Sequence, residues 1–303
     1  MRDFEPVLAR VAERLPLAGT EPTRLFHGRG HAYDGYEDVT VDWFAPYLLV
    51  GAYGSDREGP RLLASRLADR FATQQGVCLQ ARDGRQTRTE MVSGQVPPRH
   101  IVSEQGLSYL VRITRNQNVG LFLDMAPVRS WVRDVAAGRR VLNLFAYTCA
   151  FSVAAIDGGA QLVVNNDMAR RALDWGWENH ALNGHDSGRV RMLPHNLFKS
   201  WWKIRQFGPY DLIIIDPPTN QRGSFVAEKH YGQILKRVAE LAAPGALILA
   251  CLNSPFLNLD FLPEQMARWC PQAEPLACML PSADFPDRFR DRGLKLGLFS
   301  YQP

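Results

Sequence analysis

From about residue 138 onward, short apolar stretches alternate with amphipathic ones, and this rhythm constrains the fold more than any other feature of the sequence. The apolar stretches predict strands, and the stretches between them predict helices; the strand candidates are RRVLNLF, AQLVVNN, VRMLP, DLIIID, ALILACL and GLKLGLFSYQ. Strands that alternate with helices are typical of a parallel, doubly wound sheet with helices on both faces. We therefore predict an α/β fold whose ligand binds at the carboxyl ends of the strands.

The first part of the chain has a different pattern. Apolar residues recur at helical spacing over residues 3 to 15, and EGPRLLASRLADRFA predicts a second helix among β-rich runs. The turn-rich stretch MVSGQVPPRH predicts a loop. We expect a small α+β domain over residues 1–115, with a possible contact to RNA, followed by the α/β domain over residues 116–303.

Composition narrows the class of protein. No apolar run reaches about 18 residues, so no membrane span is expected. The N-terminal stretch lacks the apolar core of a signal peptide, and the five cysteines form no CxxC pair. We therefore expect a cytoplasmic protein without disulfides and without a metal site. The sequence leaves the oligomeric state open.

A net charge of +4 permits an acidic partner without requiring one. Arginine is concentrated in three stretches, which are TRLFHGRGH, ARDGRQTRTE and DFPDRFRDRGLK. Such clusters are usually solvated faces, and they indicate a binding surface only if the fold brings them to one place. His27 and His31 lie four residues apart in the first stretch, but they lack a third metal ligand. A strand turn or an RNA phosphate contact explains them better than a metal does.

Polar residues stand at the ends of three predicted strands. They are the stretch from Asn143 to Thr148, then Asp167, and then Asp216-Pro217-Pro218-Thr219. A carboxylate about 20 residues after the first loop can accept both hydroxyls of a ribose. Alone, each acid has a structural explanation, because an aspartate after a strand is often a helix N-cap and Asp-Pro-Pro is often a rigid turn. Their joint order and spacing favour an adenosine-type ligand.

The first loop, FAYTCA, contains neither glycine nor a basic residue. Phosphate-binding loops usually need glycines, because the backbone must approach the ligand closely. The loop therefore disfavours NAD and ATP. It favours S-adenosylmethionine, which has a ribose and an adenine but no phosphate.

The segment VLNLFAYTCAFSVAAIDGGAQLVVNNDMARRALDWGWENHALNG resembles the opening of the class I methyltransferase domain in large-subunit ribosomal RNA methyltransferases of the I and K/L types. HIVSEQGLSYLVRITRNQNVGLFLD, IIIDPPT and SADFPDRFRDRGLKLGLFSY resemble further segments of these proteins, so the resemblance covers about residues 20 to 303 and is greatest to the K half of the K/L type. It implies a Rossmann-like domain with a mostly parallel, seven-stranded sheet. It also implies S-adenosylmethionine as cofactor and ribosomal RNA as partner.

The resemblance also assigns roles to residues of this sequence. Those implied to contact the cofactor are Asn143, Phe145, Tyr147, Thr148, Asp167, Met168, Asn196, Leu197 and Asp216. Those implied to line the methyl-transfer site are Asp216, Pro217 and Pro218, with Asp124, Arg129 and Thr219 on the substrate side.

Three residues depart from the family pattern. Cys149 stands where relatives have a glycine, Asn196 where they often have an acid, and Ala126 where an arginine is usual. We expect the Cys149 side chain to occupy space near the methionine end of the cofactor.

The chemistry of the target separates the possible reactions. Guanine N7 has a free lone pair, whereas cytosine C5 becomes nucleophilic only after a thiolate adds to C6. The DPPT motif has no cysteine, and Cys251, at the end of ALILAC, has a simpler explanation as a small core residue. We therefore favour a ring nitrogen or an exocyclic amine of ribosomal RNA. The alternatives are cytosine C5 methylation, a methyltransferase for proteins or small molecules, and a non-catalytic RNA-binding relative.

The pairs Trp43-Phe44 and Trp201-Trp202 are candidates for base stacking.

Overall fold

In the computed structural model the chain divides into two compact units, and each is described by itself. Unit 1 comprises Met1–Asp124 and Ser282–Phe289, and unit 2 comprises Met125–Pro281 and Arg290–Pro303. The structure describes residues 2–71, 75–83, 86–115, 118–218, 220–221 and 225–303. Thr219, a predicted substrate residue, lies outside these ranges.

Unit 1 is built on a five-stranded sheet with two helices and a separate hairpin. Its elements are α1 (Glu5–Ala18), β1 (Thr23–His27), β2 (Val39–Phe44), β3 (Tyr47–Tyr53), α2 (Glu58–Arg70), β4 (Gly76–Asp83), β5 (Gln86–Gly94), β6 (His100–Glu104) and β7 (Leu107–Val111). The sheet order is β1-β2-β3-β4-β5, and β6 pairs with β7. Only β3 and β4 run parallel within the sheet, because α2 carries the chain back between them. The expected loop over MVSGQVPPRH begins later than predicted, since β5 continues to Gly94.

The core of unit 1 follows from the helical spacing in the sequence. Phe4, Val7, Leu8 and Val11 on or beside α1 are buried in one cluster with the inner residues of the sheet. Trp43 and Phe44 are buried as well. The expectation that this pair stacks on bases is therefore wrong, because both rings serve the apolar interior of unit 1.

Unit 2 contains the strand–helix alternation that the sequence predicts. Its elements are α3 (Ala126–Val135), β8 (Arg140–Leu144), α4 (Ala150–Asp157), β9 (Leu162–Asn166), α5 (Arg170–Leu182), β10 (Val190–Leu193), α6 (Trp201–Arg205), β11 (Tyr210–Ile215), β12 (Asn220–Gln221), β13 (Phe225–Val226), α7 (Ala227–Leu241), β14 (Ala242–Asn253), α8 (Phe261–Trp269), β15 (Ala273–Met279) and β16 (Leu294–Tyr301).

The main sheet of unit 2 has seven strands in the order β10-β9-β8-β11-β14-β16-β15. The first five are parallel, and β16 and β15 are antiparallel additions at one side. The predicted mostly parallel, seven-stranded sheet is confirmed. Between Asp211 and Asp216 the strand β11 is continuously apolar because both of its faces are covered, with Ile213 and Ile215 in one core cluster and Leu212 and Ile214 in the other.

No helix in the described part of the chain combines the length and the apolarity needed to cross a membrane.

Candidate active site

The register of the parallel strands brings the predicted site residues to one edge of the sheet. Asn166, Leu144, Ile215 and Ala250 are aligned across β9, β8, β11 and β14. The residues that follow these four along the chain are Asp167, Phe145, Asp216 and Cys251. The two acids that the sequence singles out therefore flank the strand that leads into the FAYTCA loop.

Asp167 fastens this loop to the end of β9. Its Oδ2 accepts from the backbone N–H of Tyr147 at 2.9 Å, and its Oδ1 accepts from the backbone N–H of Ala169 at 2.8 Å. Burial raises the pKa of Asp167, and the two amide donors oppose that rise without cancelling it. Each carboxylate oxygen has a second lone pair, so the same group can also accept hydrogen bonds from a ligand.

The loop itself has an unusual backbone. Phe145, Tyr147 and Cys149 have φ values of 59°, 47° and 62°, so every second residue is left-handed. A left-handed conformation costs a residue with a Cβ roughly 1–2 kcal/mol, and such outliers cluster at functional sites. Hydrogen bonds on both sides of the loop hold it in this form. Ala146 N–H donates to Asn166 O at 3.0 Å, and Cys149 N–H donates to Ala146 O at 2.7 Å.

The Cys149 side chain is enclosed between the loop and helix α5. It is 0 % exposed and packs beneath the loop with Ala146, Leu173 and Met192. A Cβ built on Gly176 of α5 would clash with the Cys149 Sγ and lie 2.9 Å from its Cβ. The thiol is therefore enclosed by the protein, and its expected position near the methionine end of the cofactor stays a prediction. The left-handed backbone directs the thiol toward α5, where Gly176 leaves room for it.

Asn143 and Thr148 also face inward. The Asn143 side chain is 1 % exposed, and its Nδ2 donates to Oδ1 of Asn165, its partner in the strand register, at 2.9 Å. The Thr148 side chain is buried, and its backbone carbonyl accepts from Asn179 Nδ2 at 2.9 Å. Asn143 and Thr148, both predicted to contact the cofactor, thus have buried side chains. Their hydrogen bonds support the loop from the protein interior.

A buried polar chain continues from Asn165 toward α5, and the sequence analysis did not predict it. Asn165 Nδ2 donates to Ser152 Oγ at 2.9 Å, and Ser152 Oγ lies 2.9 Å from His180 Nε2. His180 Nδ1 lies 2.9 Å from His185 Nδ1. Burial, followed by the neighbouring His185, lowers the pKa of His180 to about 3, so this imidazole is neutral at physiological pH. The one visible signal was the polar Asn165 inside the apolar stretch LVVNN.

An aromatic cluster borders the loop on the side of β10. The Phe145 ring meets Phe225 edge to face at 5.2 Å between centroids, and Phe198 lies parallel to Phe225 at 6.5 Å. Asn196 caps the short helical turn that follows, because its Oδ1 accepts from Phe198 N–H at 3.0 Å. Leu197 is buried in the core of unit 2. Met168, by contrast, is 47 % exposed directly after Asp167.

Asp216 stands at the end of β11, with Pro217 buried and Pro218 exposed after it. Burial first, and then Cys251 and Asp216, raise the pKa of the buried Tyr231 hydroxyl. That hydroxyl donates to the backbone carbonyl of Cys251 at 3.1 Å. The Cys251 side chain is 0 % exposed among the core residues under the sheet, which confirms its interpretation as a small core residue.

The remaining predicted residues have different surroundings. Asp124 is half-buried in unit 1, where it helps to raise the pKa of Arg24, and Arg129 is buried in α3 of unit 2.

Trp202 is exposed at α6, with Lys203 Nζ at 5.4 Å from its ring centroid. Within the described ranges, no three His, Cys, Asp or Glu side chains are grouped as a metal site would need.

The seven-stranded, mostly parallel sheet of unit 2 has the Rossmann-like fold of class I methyltransferases. Residues 23–300 match the family of S-adenosylmethionine-dependent methyltransferases, and the chain belongs to this family. It is an enzyme of that class, and S-adenosylmethionine is its cofactor.

This chain and its curated relatives are identical at about a third of the aligned positions. Ribosomal RNA large subunit methyltransferase I of Aeromonas hydrophila is 31% identical over 228 residues, which are 71% of this chain and 57% of that protein. Ribosomal RNA large subunit methyltransferase K/L of Pseudomonas putida is 33% identical over 238 residues, which are 73% of this chain and 32% of that protein. The chain thus spans little more than half of the first relative and about a third of the second.

Solved structures agree on the fold. A S-adenosylmethionine-dependent methyltransferase from Streptococcus mutans has a TM-score of 0.85 at 24% identity, over 97% of this chain and 81% of that one. A methyltransferase structure with bound S-adenosylhomocysteine has the same score, identity and coverage. The tRNA m1G37 methyltransferase of M. jannaschii has a TM-score of 0.63 at 14% identity, over 85% of this chain and 73% of that chain.

The residues of the site suit this cofactor. Asp167 offers ribose hydroxyls a carboxylate that two backbone amides already orient. The loop between β8 and α4 contains no lysine or arginine that would call for a phosphate. A ligand with an uncharged ribose and no phosphate fits this set of donors and acceptors better than a dinucleotide does.

The packing of Cys149 on Gly176 gives a testable prediction. Glycine-to-alanine changes inside a helix ordinarily stabilise it by about 0.5–1 kcal/mol. Gly176→Ala should instead lower the free energy of unfolding by about 1–3 kcal/mol, because the new methyl group overlaps the Cys149 side chain. In a Cys149→Gly background the same change should be neutral or stabilising. Urea unfolding of the two single variants and the double variant measures this coupling.

The same variants test the position of the thiol. Because the Cys149 side chain lies beneath the loop, Cys149→Gly should change the dissociation constant for S-adenosylhomocysteine only a few-fold. Equal destabilisation by Gly176→Ala in both backgrounds would show that the two residues do not share this space.

Proposed function

We propose that this chain methylates a nitrogen atom of a base in large-subunit ribosomal RNA, guanine N7 or another ring or exocyclic nitrogen. The observation that carries the proposal is the position of Asp216 in the same register row as Asp167, one strand beyond the cofactor loop. The RNA substrate is supported by the curated relatives described above, which are ribosomal RNA large subunit methyltransferases.

The cofactor side of the site is assigned to the residues that reach its surface. Asp167 accepts from the ribose hydroxyls, and Met168 and Asn196 border the adenine. Phe145 and Tyr147 lie toward the methionine part. Asn143, Thr148 and Leu197 have buried side chains, so we assign them to the support of the loop and of the turn after β10.

The substrate side is assigned to Asp216, Pro217 and Pro218. Asp167 and Asp216 follow strands on either side of β8, and strand spacing separates such positions by roughly 10 Å. This separation leaves room for an extended cofactor between the ribose-binding acid and the target base. The Asp216 carboxylate and the Pro217 carbonyl are both acceptors for N–H groups of a base. Asp124 and Thr219 are left as substrate contacts that only the resemblance supports, and the buried Arg129 has a structural place in α3.

The bound cofactor supplies an electrophilic methyl group on a positively charged sulfur. The protein must then hold the target nitrogen in line with that methyl, and orientation alone supplies a large part of the rate. Guanine N7 attacks with a lone pair and has no proton to lose. An exocyclic amine must lose a proton, and we assign the role of proton acceptor to Asp216, the acid that follows β11.

Cytosine C5 is disfavoured by the surroundings of Cys251. The C5 route requires a thiolate that reaches C6 of the base. Cys251 is fully buried within β14, opposite Leu296 of β16, and its side chain belongs to the core. Cys149, in the loop after the neighbouring strand β8, is fully buried as well, and burial raises the pKa of its thiol well above the ordinary value, which disfavours a thiolate there.

Asp167→Ala should weaken the binding of S-adenosylhomocysteine at least about tenfold, since hydrogen bonds to a charged group are worth about 1.5–3 kcal/mol. Because burial raises the pKa of Asp167, the affinity of the wild type should fall on acidification at a higher pH than an ordinary aspartate would give. Calorimetric titration across pH measures both effects.

Asp174→Ala is the matched control for that experiment, because Asp174 is an exposed carboxylate on the neighbouring helix α5. Its dissociation constant should equal that of the wild type. If Asp167→Ala also binds like the wild type, the ribose assignment is wrong.

Asp216→Ala should abolish methyl transfer to the RNA and leave most of the affinity for S-adenosylhomocysteine intact, because Asp216 faces the substrate. Incorporation of labelled methyl groups and calorimetry on the same preparation separate the two properties. Asp260→Ala, an exposed acid before α8, serves as control. Full activity of Asp216→Ala would place the substrate elsewhere.

Cys251→Ser should retain methyltransferase activity, because the thiol is not a nucleophile in the proposed reaction. An RNA that carries a fluorinated cytosine analogue should form no covalent adduct with the wild type. A trapped adduct that disappears in Cys251→Ser would overturn the nitrogen target in favour of cytosine C5.

A further inference from the structure

The tryptophan pair at the start of α6 is divided between the interior and the surface of unit 2. Trp201 is half-buried and meets Phe198 edge to face, at 6.4 Å between ring centroids. Trp202, one position later, is 60 % exposed. Successive side chains of a helix point about 100° apart, so the packing of Trp201 against Phe198 leaves the next ring outside the core.

Ring contacts connect this short helix to the cofactor loop. Phe198, which Trp201 contacts, lies parallel to Phe225, and Phe225 meets Phe145 of the FAYTCA loop edge to face. The start of α6 is therefore packed on the same aromatic cluster that borders the loop. A surface in this position can contact the nucleotides that flank a base in the methyl-transfer site.

Lys203 places a positive charge beside the exposed ring. Its Nζ lies 5.4 Å from the centroid of Trp202, which is within the range of a cation–π contact. The same Nζ lies 2.7 Å from Nε2 of His195. The backbone carbonyl of His195 in turn accepts from Nδ2 of the buried Asn166 at 3.1 Å. The ammonium group is thus positioned by a ring on one side and by an anchored imidazole on the other.

The charge on Lys203 is not compensated by an acid of the described residues. Burial, followed by Lys203 and Arg170, lowers the pKa of His195, so this imidazole is neutral at physiological pH and accepts from the ammonium. Within the described ranges no carboxylate lies at ion-pair distance from Lys203, whereas Arg205 on the same helix is paired with Glu240. An ammonium group has three donors, and the bond to His195 uses one of them. Lys203 can therefore also bind an anion.

An exposed tryptophan beside an uncompensated ammonium group matches the chemistry of a single-stranded nucleotide. Every nucleobase has a flat face that stacks on an aromatic ring, and every phosphate carries a charge opposite to that of lysine.

We propose that Trp202 stacks on an unpaired base of the RNA substrate and that Lys203 binds a neighbouring phosphate. The inference rests on the proposed function, because an RNA substrate is what would bring such nucleotides to unit 2. The two residues hold the strand, and the choice of target base is left to the methyl-transfer site.

The first test measures the binding of a short, labelled single-stranded RNA of mixed sequence by fluorescence anisotropy. Trp202→Ala should weaken binding about 5- to 100-fold, which is the effect of losing one stack between a base and an aromatic ring. Trp202→Phe should retain a large part of the affinity, because a flat ring remains, whereas Trp202→Leu should bind as weakly as Trp202→Ala. Wild-type affinity in Trp202→Leu would show an apolar contact instead of stacking and would overturn the proposal.

The dependence on salt separates the two contacts. Each phosphate contact on a single strand contributes about 0.7 to the magnitude of the slope of log K against log salt. Lys203→Ala should therefore lower that magnitude by about 0.7. Trp202→Ala should leave the slope unchanged, because it removes no charge.

Lys236→Ala is the matched control. Lys236 is an exposed lysine of α7 that also lies beside a tryptophan, with its Nζ 4.0 Å from the ring centroid of the half-buried Trp269. Its removal should change neither the affinity for RNA nor the slope. If Lys203→Ala behaves like Lys236→Ala, or if Trp202→Ala binds RNA like the wild type, the proposal is wrong.

Two further readouts keep this inference separate from the proposed function. Trp202→Ala should bind S-adenosylhomocysteine like the wild type, which shows that unit 2 is folded. If the wild type methylates RNA and the variants at Trp202 and Lys203 bind RNA normally, only the nucleotide contact fails. If the wild type binds RNA through these two residues but methylates none, the proposed function fails and the nucleotide contact stands.

Discussion

The site depends on one carboxylate that bridges two backbone amides. Asp167 accepts from Tyr147 in the loop after β8 and from Ala169 before α5, so a single side chain joins the two strand ends that border the cofactor. Burial makes the charge on this group costly, and the two amide donors offset part of that cost. In the proposed site, the two hydroxyl groups of a ribose would complete the hydrogen bonding of the same oxygens. The shape of the loop and the proposed recognition of the ribose therefore depend on one residue.

The hydrogen bonds of Asp167 also help to explain how this loop keeps its shape without a glycine. Three left-handed residues carry side chains, and hydrogen bonds offset the strain that they introduce. Asn166 O accepts from Ala146 N–H, Asp167 Oδ2 accepts from Tyr147 N–H, and Asn179 Nδ2 donates to Thr148 O. Cys149 fits because Gly176, on the facing helix, has no side chain. The space that the Cys149 side chain needs is thus provided by a glycine on the facing helix.

The sequence predicted the sheet and the strand-end residues because both follow from local patterns: apolar runs for strands, and polar residues just after them. It could not predict side-chain directions within the loop. The resemblance implies that Asn143 contacts the cofactor and that the Cys149 side chain takes space near it, and only the structure shows that both side chains are buried. The chain from Asn165 through Ser152 to His180 was missed because its members are far apart in sequence. Edge strand β15 was missed because its residues are mostly exposed and include Pro275, so it lacks an apolar pattern.

The central claim is that the Asp167-bridged loop binds S-adenosylmethionine without glycines. Calorimetric titration of the wild-type protein with S-adenosylhomocysteine tests it most directly, because the product analogue occupies the same site without turnover. The account predicts saturable binding at one site per chain. A folded protein that gives no binding at any concentration tested would contradict it.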